Sequence, residues 1–151
     1  MSSQVLITQA SGKPAVTAWL RLLRGSASAR RRLDADLQAQ HGLTVVEYEA
    51  LLLLSQAEER SMRRIDLARG LGLTPSGVTR LLDGLERDGC VAKATCSRDA
   101  RVTYAVLTDE GAGRLERASC SHEGSVRALF EERYSAEELD TLASLLGRLP
   151  Q

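Results

Sequence analysis

A predicted helix, a tight turn and a second helix between residues 62 and 87 constrain this 151-residue chain more than any other feature. The first helix is predicted from about residue 62 to residue 71, with an inward side formed by Ile65, Leu67, Ala68 and Leu71. Gly72 can adopt the positive φ of a tight turn, and Thr74 and Pro75 supply an N-cap and a first helical residue. The second helix has the clearest apolar stripe in the sequence: Val78, Leu81, Leu82 and Leu85. The segment therefore satisfies the steric demands of a helix-turn-helix.

Helical patterns flank this segment, and a hairpin follows it. Only 3% of the residues are aromatic, so the core must consist mainly of Leu, Val and Ala, which favours helices. The predicted elements are a helix over 14–41 that ends at Gly42, a helix over 45–56, strands at 91–95 and 102–107, a long helix after Thr108 and a last helix opened by the Ser135/Glu138 capping box. The fold class is therefore mainly α, with a small β element.

Composition and cysteine usage exclude several classes of protein. With 43% hydrophobic and 26% charged residues, the chain has the composition of an ordinary globular domain. No apolar run approaches the roughly 18 residues of a membrane span, and the N-terminus lacks a secretory pattern, so we expect a cytoplasmic protein without a membrane partner. Three cysteines without metal-ligand spacing indicate reduced thiols and no metal site. We find no catalytic motif and expect neither enzyme activity nor a cofactor.

The charge is unevenly distributed although the formal net charge is zero. Residues 63–101 contain eight basic and five acidic side chains, a balance of +3, whereas residues 109–151 contain five and nine, a balance of −4. One surface of the fold can therefore be basic in a neutral protein. This layout is compatible with a nucleic-acid partner.

The second helix of the motif has the polar face expected of a recognition helix. If its apolar stripe faces the core, Ser76, Gly77, Thr79 and Arg80 lie outward near its N-terminal end. That end of a recognition helix enters the major groove of double-stranded DNA, where Arg bonds guanine and hydroxyls bond bases or phosphates. Thr74 and the free N–H groups of the first turn can bind a phosphate. Further phosphate contacts are predicted for Arg63, Arg64 and Arg69.

The tip of the hairpin carries Arg98, Asp99 and Arg101. Guanidinium groups at the end of an extended hairpin suit the narrow, electronegative minor groove. Because phosphate would repel Asp99, its expected role is to orient Arg101 or Arg98 through a side-chain pair.

Three blocks in this order resemble the MarR-type winged-helix transcriptional regulators: residues 65–89, residues 98–101 and residues 106–111. The resemblance covers about residues 14–149 and implies a winged helix-turn-helix with a two- to three-stranded β wing and long N- and C-terminal dimerisation helices. It further implies a homodimer that binds a pseudo-palindromic operator and is released by a small-molecule effector, or by oxidation in some members. The wing arginine of the family falls on Arg101 and its aspartate on Asp99.

The resemblance and the residue patterns together divide the chain into four parts. Residues 1–13 are expected to be a flexible tail, 14–42 a dimerisation helix, 43–108 the winged helix-turn-helix DNA-binding domain and 109–151 the C-terminal dimerisation helices. The terminal apolar stripes exceed what a small winged-helix core can cover, which independently favours pairing between subunits.

Two alternatives to a repressor released by a small molecule stay open. Cys96 lies close to Arg98, and a basic neighbour favours the thiolate, so the chain could be a redox-sensing regulator switched through Cys96. A winged helix can also serve as a protein-interaction module without any DNA function.

Overall fold

The computed structural model describes residues 13–150, so the predicted tail, residues 1–13, lies outside it except for Lys13, as does Gln151. The described chain forms six α-helices, one 3-10 turn and three strands: α1 (Pro14–His41), α2 (Val45–Gln56), a 3-10 turn (Glu58–Arg60), β1 (Ser61–Arg63), α3 (Arg64–Gly70), α4 (Pro75–Arg87), β2 (Val91–Thr95), β3 (Thr103–Leu107), α5 (Asp109–Glu131) and α6 (Ala136–Leu146). This confirms the predicted mainly α-helical winged helix-turn-helix.

Local capping signals explain where the first helices begin and end. Gly42 ends α1 with a φ of 62°, a left-handed conformation that costs glycine little. At the start of α2, the Glu47 amide donates to the Thr44 hydroxyl at 3.2 Å, and the Glu47 carboxylate accepts from the Thr44 amide at 2.7 Å. The Asp34 carboxylate also accepts from the amide of Val45 at 2.6 Å, which ties α1 to the start of α2.

A three-stranded antiparallel sheet lies beside the helix-turn-helix, with β3 in the centre between β1 and β2. β2 and β3 pair along their full length, from Val91 opposite Leu107 to Thr95 opposite Thr103. β1 pairs with the other edge of β3, where Met62 lies opposite Ala105. The sheet thus connects the segment before α3 to the hairpin after α4.

One buried cluster joins the helix-turn-helix, the sheet and the adjoining parts of α1 and α5. Its largest members, all nearly inaccessible to solvent, are Leu37, Leu43, Leu51, Leu54, Leu67, Leu82, Leu85 and Cys90. All four members of the predicted α4 stripe are buried. Among residues 13–150, no helix is long and apolar enough to cross a lipid bilayer.

The structure corrects the predicted start of α3 and the position of Ile65. Met62 belongs to β1 rather than to the helix, and the side chain of Ile65 is 64% exposed rather than inward. The reason is helical phase: Leu67 and Ala68 are buried, and the residue one turn earlier on their side of α3 is Arg64. Ile65 is rotated away from this stripe and faces solvent.

The first turn of α5 lies unusually close to the end of the helix-turn-helix. A Cβ atom on Gly111 would lie 2.1 Å from the carbonyl oxygen of Cys90, which no real contact permits. The same carbonyl accepts a hydrogen bond from the amide of Thr108 at 3.1 Å, and the Thr108 hydroxyl donates to the carbonyl of Gly89 at 2.6 Å. Gly111 is thus required for the docking of α5 against the segment that follows α4.

The Gly111→Ala substitution is expected to reduce the free energy of unfolding by about 3 kcal/mol, because the methyl group forces backbone apart in a packed region. Gly124→Ala is the matched control on the same helix, since nothing lies within 4 Å of its added Cβ. The control should be neutral or stabilising by about 0.5–1 kcal/mol through helix propensity. Urea unfolding followed by circular dichroism measures the free energy of unfolding of both variants. Equal changes in the two variants would contradict the close approach of Gly111 to Cys90.

Candidate nucleic-acid interface

The turn between α3 and α4 fixes the orientation of α4 relative to α3. Gly72 has a φ of 63°, and the amide of Leu73 donates to the carbonyl of Ala68 at 2.8 Å. The hydroxyl of Thr74 accepts from the amide of Gly77 at 3.1 Å and so caps α4. With its apolar stripe buried, α4 turns its polar side outward.

The outward side of α4 contains one uncommitted cation near the N-terminal end. Arg80 is exposed, and within residues 13–150 it has no hydrogen-bonding or ion-pair partner. Ser76 is also exposed, and its hydroxyl lies 3.2 Å from that of Thr74. Arg80 and Ser76 are therefore free to contact a ligand that approaches this end of α4.

Two other predicted contact residues on this side are already engaged in the protein. The Thr79 hydroxyl donates to the carbonyl of Pro75 at 2.8 Å and accepts from the guanidinium of Arg64. The Thr74 hydroxyl serves as the cap, and Pro75 has no amide N–H, so the amide of Ser76 is the free donor of the first turn. Thr79 is placed to orient Arg64, and Thr74 to shape the helix end.

The wing carries its arginines on an ordered turn. The amide of Cys96 donates to the carbonyl of Val102, and the amide of Val102 to the carbonyl of Asp99, each at 3.0 Å. The Asp99 carboxylate accepts from the backbone amide of Arg101 at 2.9 Å and lies 3.5 Å from its guanidinium. The Arg101 side chain is 94% exposed, and Arg98 is also exposed. Asp99 thus contacts both the backbone amide and the guanidinium of Arg101.

A cleft of about 460 Å³ lies between the N-terminal end of α4 and the wing. Arg63, Arg64 and Arg101 supply its positive charge, and Ile65 and Val78 are among its apolar lining residues. A hydrogen bond with Tyr104, directly opposite on β3, raises the pKa of Arg63. The Nε atom of Arg64 is buried without a partner in the described part of the chain. The cleft therefore combines cationic and apolar lining residues.

The remaining predicted residues lie around this surface. Arg69 is an exposed residue of α3, where its guanidinium lies 3.4 Å from the carboxylate of Asp66. Cys96 is a free, half-buried thiol at the base of the wing turn. In the range 13–150, no His, Cys, Asp or Glu side chains are grouped so that they could bind a metal ion.

An ion-pair cluster that the sequence analysis did not identify joins the wing to α4. The Lys93 ammonium on β2 lies 2.8 Å from the Asp83 carboxylate and 2.9 Å from that of Glu86. Hydrogen bonding to Lys93 lowers the pKa of Asp83, and Asp83 and Glu86 together raise the pKa of Lys93. The i,i+3 spacing of the two acids was the available signal, but only the folding of β2 against α4 brings Lys93 to them. Lys93 thus offsets one of the two negative charges on the outward side of α4.

Comparisons with known proteins agree with this architecture. A model of the MarR family matches residues 41–102. The chain is 36% identical over 111 residues to the HTH-type transcriptional repressor YetL of Bacillus subtilis, an alignment that covers 74% of this chain and 66% of YetL. Among solved structures, AbsC of Streptomyces coelicolor, a MarR family transcriptional regulator, is 32% identical with a TM-score of 0.76, covering 85% of this chain and 86% of AbsC. Sco3205 of the same organism, solved in complex with DNA, is 29% identical with a TM-score of 0.79, covering 85% of this chain and 81% of Sco3205.

The fold and these relatives define the class of protein as winged helix-turn-helix transcriptional regulators. Within that class, the chain belongs to the MarR family. The relatives are regulators rather than enzymes, in agreement with the sequence analysis.

The Lys93→Met substitution is expected to raise the pKa of Asp83 toward its ordinary value of 3.8, because the neighbouring ammonium is removed. The lowered pKa of the native protein contributes stability above the pKa of the unfolded state, and this contribution is lost as the pH falls through the pKa of the folded state. NMR titration of the Asp83 carboxyl measures the change. Lys93→Arg keeps the charge and should keep the pKa low, whereas an unchanged pKa in Lys93→Met would contradict the ion pair.

Proposed function

We propose that the protein is a homodimeric, sequence-specific DNA-binding transcriptional repressor of a pseudo-palindromic operator. The observation that carries the proposal is the unpaired Arg80 on the exposed side of α4, beside an arginine-lined cleft that leads to the wing. The MarR-family relative Sco3205, solved with DNA, supports the DNA partner. YetL, which is named a repressor, supports repression rather than activation.

In the proposed complex, the N-terminal end of α4 lies in the major groove. Arg80 bonds a guanine edge through its two-donor fork, and Ser76 contacts a base or a phosphate. Gly77 allows close approach of the backbone, while Thr74 and Thr79 act through the geometry of the helix end and of Arg64. Gly77 does not have a positive φ, so glycine matters at this position because it has no side chain.

The wing in this proposal contacts the adjacent minor groove. Arg101, oriented by Asp99, enters the groove, where narrowing increases the negative potential. Arg98 contacts the groove or a flanking phosphate. Arg63 and Arg64 in the cleft neutralise phosphates of the DNA strand that passes between α4 and the wing. Arg69 makes an outer phosphate contact in this proposal.

Exposed apolar side chains on the first and last helices support the homodimer. Val16, Trp19 and Leu23 on α1 are 43%, 59% and 49% exposed. No residue of α6 is buried, and Leu145 and the following Leu149 are about half exposed. Apolar side chains exposed along a helix favour coverage by another subunit, and a second copy supplies the complementary apolar stripe.

The proposed effector is a small molecule, on the basis of the family resemblance. The alternative switch through Cys96 has less support, because this thiol is half-buried at the base of the wing turn. Peroxide treatment of the wild type and of Cys96→Ser distinguishes the two, since only an oxidation switch loses DNA affinity in a Cys96-dependent manner.

The Arg80→Ala substitution is expected to cost about 1–3 kcal/mol on operator DNA and much less on random DNA, because it removes base discrimination. The operator is first obtained by selection from random duplexes with the full chain. Fluorescence anisotropy then gives the affinities for the selected and the random duplex at several salt concentrations.

Arg87→Ala is the matched control, because it removes the same charge from the far end of α4. It should change both affinities slightly and equally. Equal losses on both duplexes in Arg80→Ala would exclude base recognition by Arg80, and failure of the wild type to select any duplex would favour a protein-interaction module.

The Leu145→Glu substitution is expected to raise the dimer dissociation constant by about 30-fold or more, since an unpaired charge in an apolar interface costs about 2 kcal/mol or more. Ser144→Glu, on the neighbouring exposed position of α6, is the control and should leave the dimer intact. Analytical ultracentrifugation over a concentration series measures the constant. A wild-type monomer would contradict the proposed homodimer.

A further inference from the structure

One guanidinium on α5 connects the end of α4 to the end of α1. Arg114 donates through Nη2 to the carbonyl oxygens of His41 at 3.1 Å and Gly42 at 3.0 Å. Its Nη1 donates to the carboxylate of Asp88 at 3.0 Å and lies 3.6 Å from the sulfur of Cys90. The side chain is only 20% exposed, so these contacts are partly shielded from solvent and salt.

The carboxyl end of α1 is shaped to receive this cation. The last carbonyl groups of a helix lack partners within the helix and carry partial negative charge, so a guanidinium there is favourable. A Cβ atom on Gly42 would lie 3.2 Å from Nη2 of Arg114, closer than most Cβ contacts. Gly42 therefore both reverses the chain and leaves space for the arginine.

Asp88 and Cys90 are the first and third residues after the recognition helix α4. α4 packs mainly against α3 and β2 and makes no comparable contact with α1 or α5. Arg114 lies one turn beyond Gly111, whose close approach to Cys90 docks the same segment. Gly111 and Arg114 thus form one joint between the recognition helix and the helices proposed to dimerise.

We propose that Arg114 is a positioning residue that fixes the orientation of α4 relative to α1 and α5, and thereby the half-site spacing that a dimer accepts. This inference rests on the proposed function. The planar guanidinium has donors in a fixed arrangement, so its bonds from α5 to two other segments at once restrict the relative rotation of all three. In a symmetric dimer, a small rotation of each α4 about this joint changes the separation of the two recognition helices, which must match the helical repeat of DNA.

The test uses the full chain and the duplex that the wild type selects from random DNA. Three probes are made from it: the selected palindrome, a duplex with one half-site only, and palindromes with one or two base pairs inserted at the centre. The variants are Arg114→Ala, Arg114→Lys, Asp88→Asn and the control Arg117→Ala, whose ion pair with Glu110 stays within α5. Thermal unfolding and ultracentrifugation establish that each variant is folded and dimeric.

Arg114→Ala is expected to bind the half-site duplex within about twofold of the wild type, because the surface of α4 is unchanged. It should bind the selected palindrome about tenfold more weakly than the wild type does. The fold-loss of affinity caused by two inserted base pairs should be at least about fivefold smaller than in the wild type. Arg114→Lys, which keeps the charge but not the fork, should recover only part of the spacing preference. Arg117→Ala should match the wild type on every probe.

A folded Arg114→Ala that keeps the wild-type spacing preference would overturn the inference. Equal losses on the half-site and the palindrome, accompanied by lower stability, would also overturn it, because they indicate a purely structural role. If Arg114→Ala does not fold, Asp88→Asn decides, since it weakens the bond to the α4 side and leaves the bonds to His41 and Gly42. A wild-type spacing preference in Asp88→Asn would then overturn the inference, whereas selection of no duplex by the wild type would refute the proposed function itself.

Discussion

The burial of one apolar stripe on α4 determines which side chains this helix presents outward. Val78, Leu81, Leu82 and Leu85 belong to the same buried cluster as the leucines of α2 and α3. Burial of four such side chains contributes roughly 6–12 kcal/mol, which is comparable to the whole stability of a typical domain. Rotation of α4 about its axis would expose this stripe and unfold the domain. The outward position of Arg80 is therefore a consequence of core packing rather than an independent feature.

Local charge, not net charge, defines the candidate interface. The balance of +3 over residues 63–101 includes Asp83 and Glu86, which lie on the outward part of α4. Lys93 lies between these carboxylates and offsets one of their two charges, so that the cluster opposes the arginines of the cleft with a net charge of −1 rather than −2. A neutral chain attracts DNA weakly at long range, and affinity must then come from a few well-placed contacts.

The sequence predicts the parts of the fold that local signals determine. The caps at Thr74 and Ser135 and the left-handed Gly42 all lie where the sequence places them, because each depends on neighbouring residues only. The residue pattern does not predict β1, since a three-residue strand has no pattern of its own and pairs with residues more than 40 positions away, although the family resemblance allows a third strand. The prediction that Ile65 faces inward was wrong for the same reason, because a helix predicted without β1 starts too early. The ion pairs of Lys93 and the bonds of Arg114 depend on tertiary packing, so the sequence does not indicate the partners of either side chain.

Formation of α6 and dimerisation are coupled in the proposed assembly. An isolated helix of 11 residues is marginal in water, and α6 has no buried residue in the single chain. Its two capping hydrogen bonds at Ser135 help to start the helix but do not replace a packed apolar side. A second copy that covers Leu145 and Leu149 provides that packing, so the order of α6 should depend on protein concentration. The C-terminal end of α5 leads into α6, and the N-terminal part of α5 carries Gly111 and Arg114. Helix α5 therefore mechanically links the dimer contact to the orientation of α4.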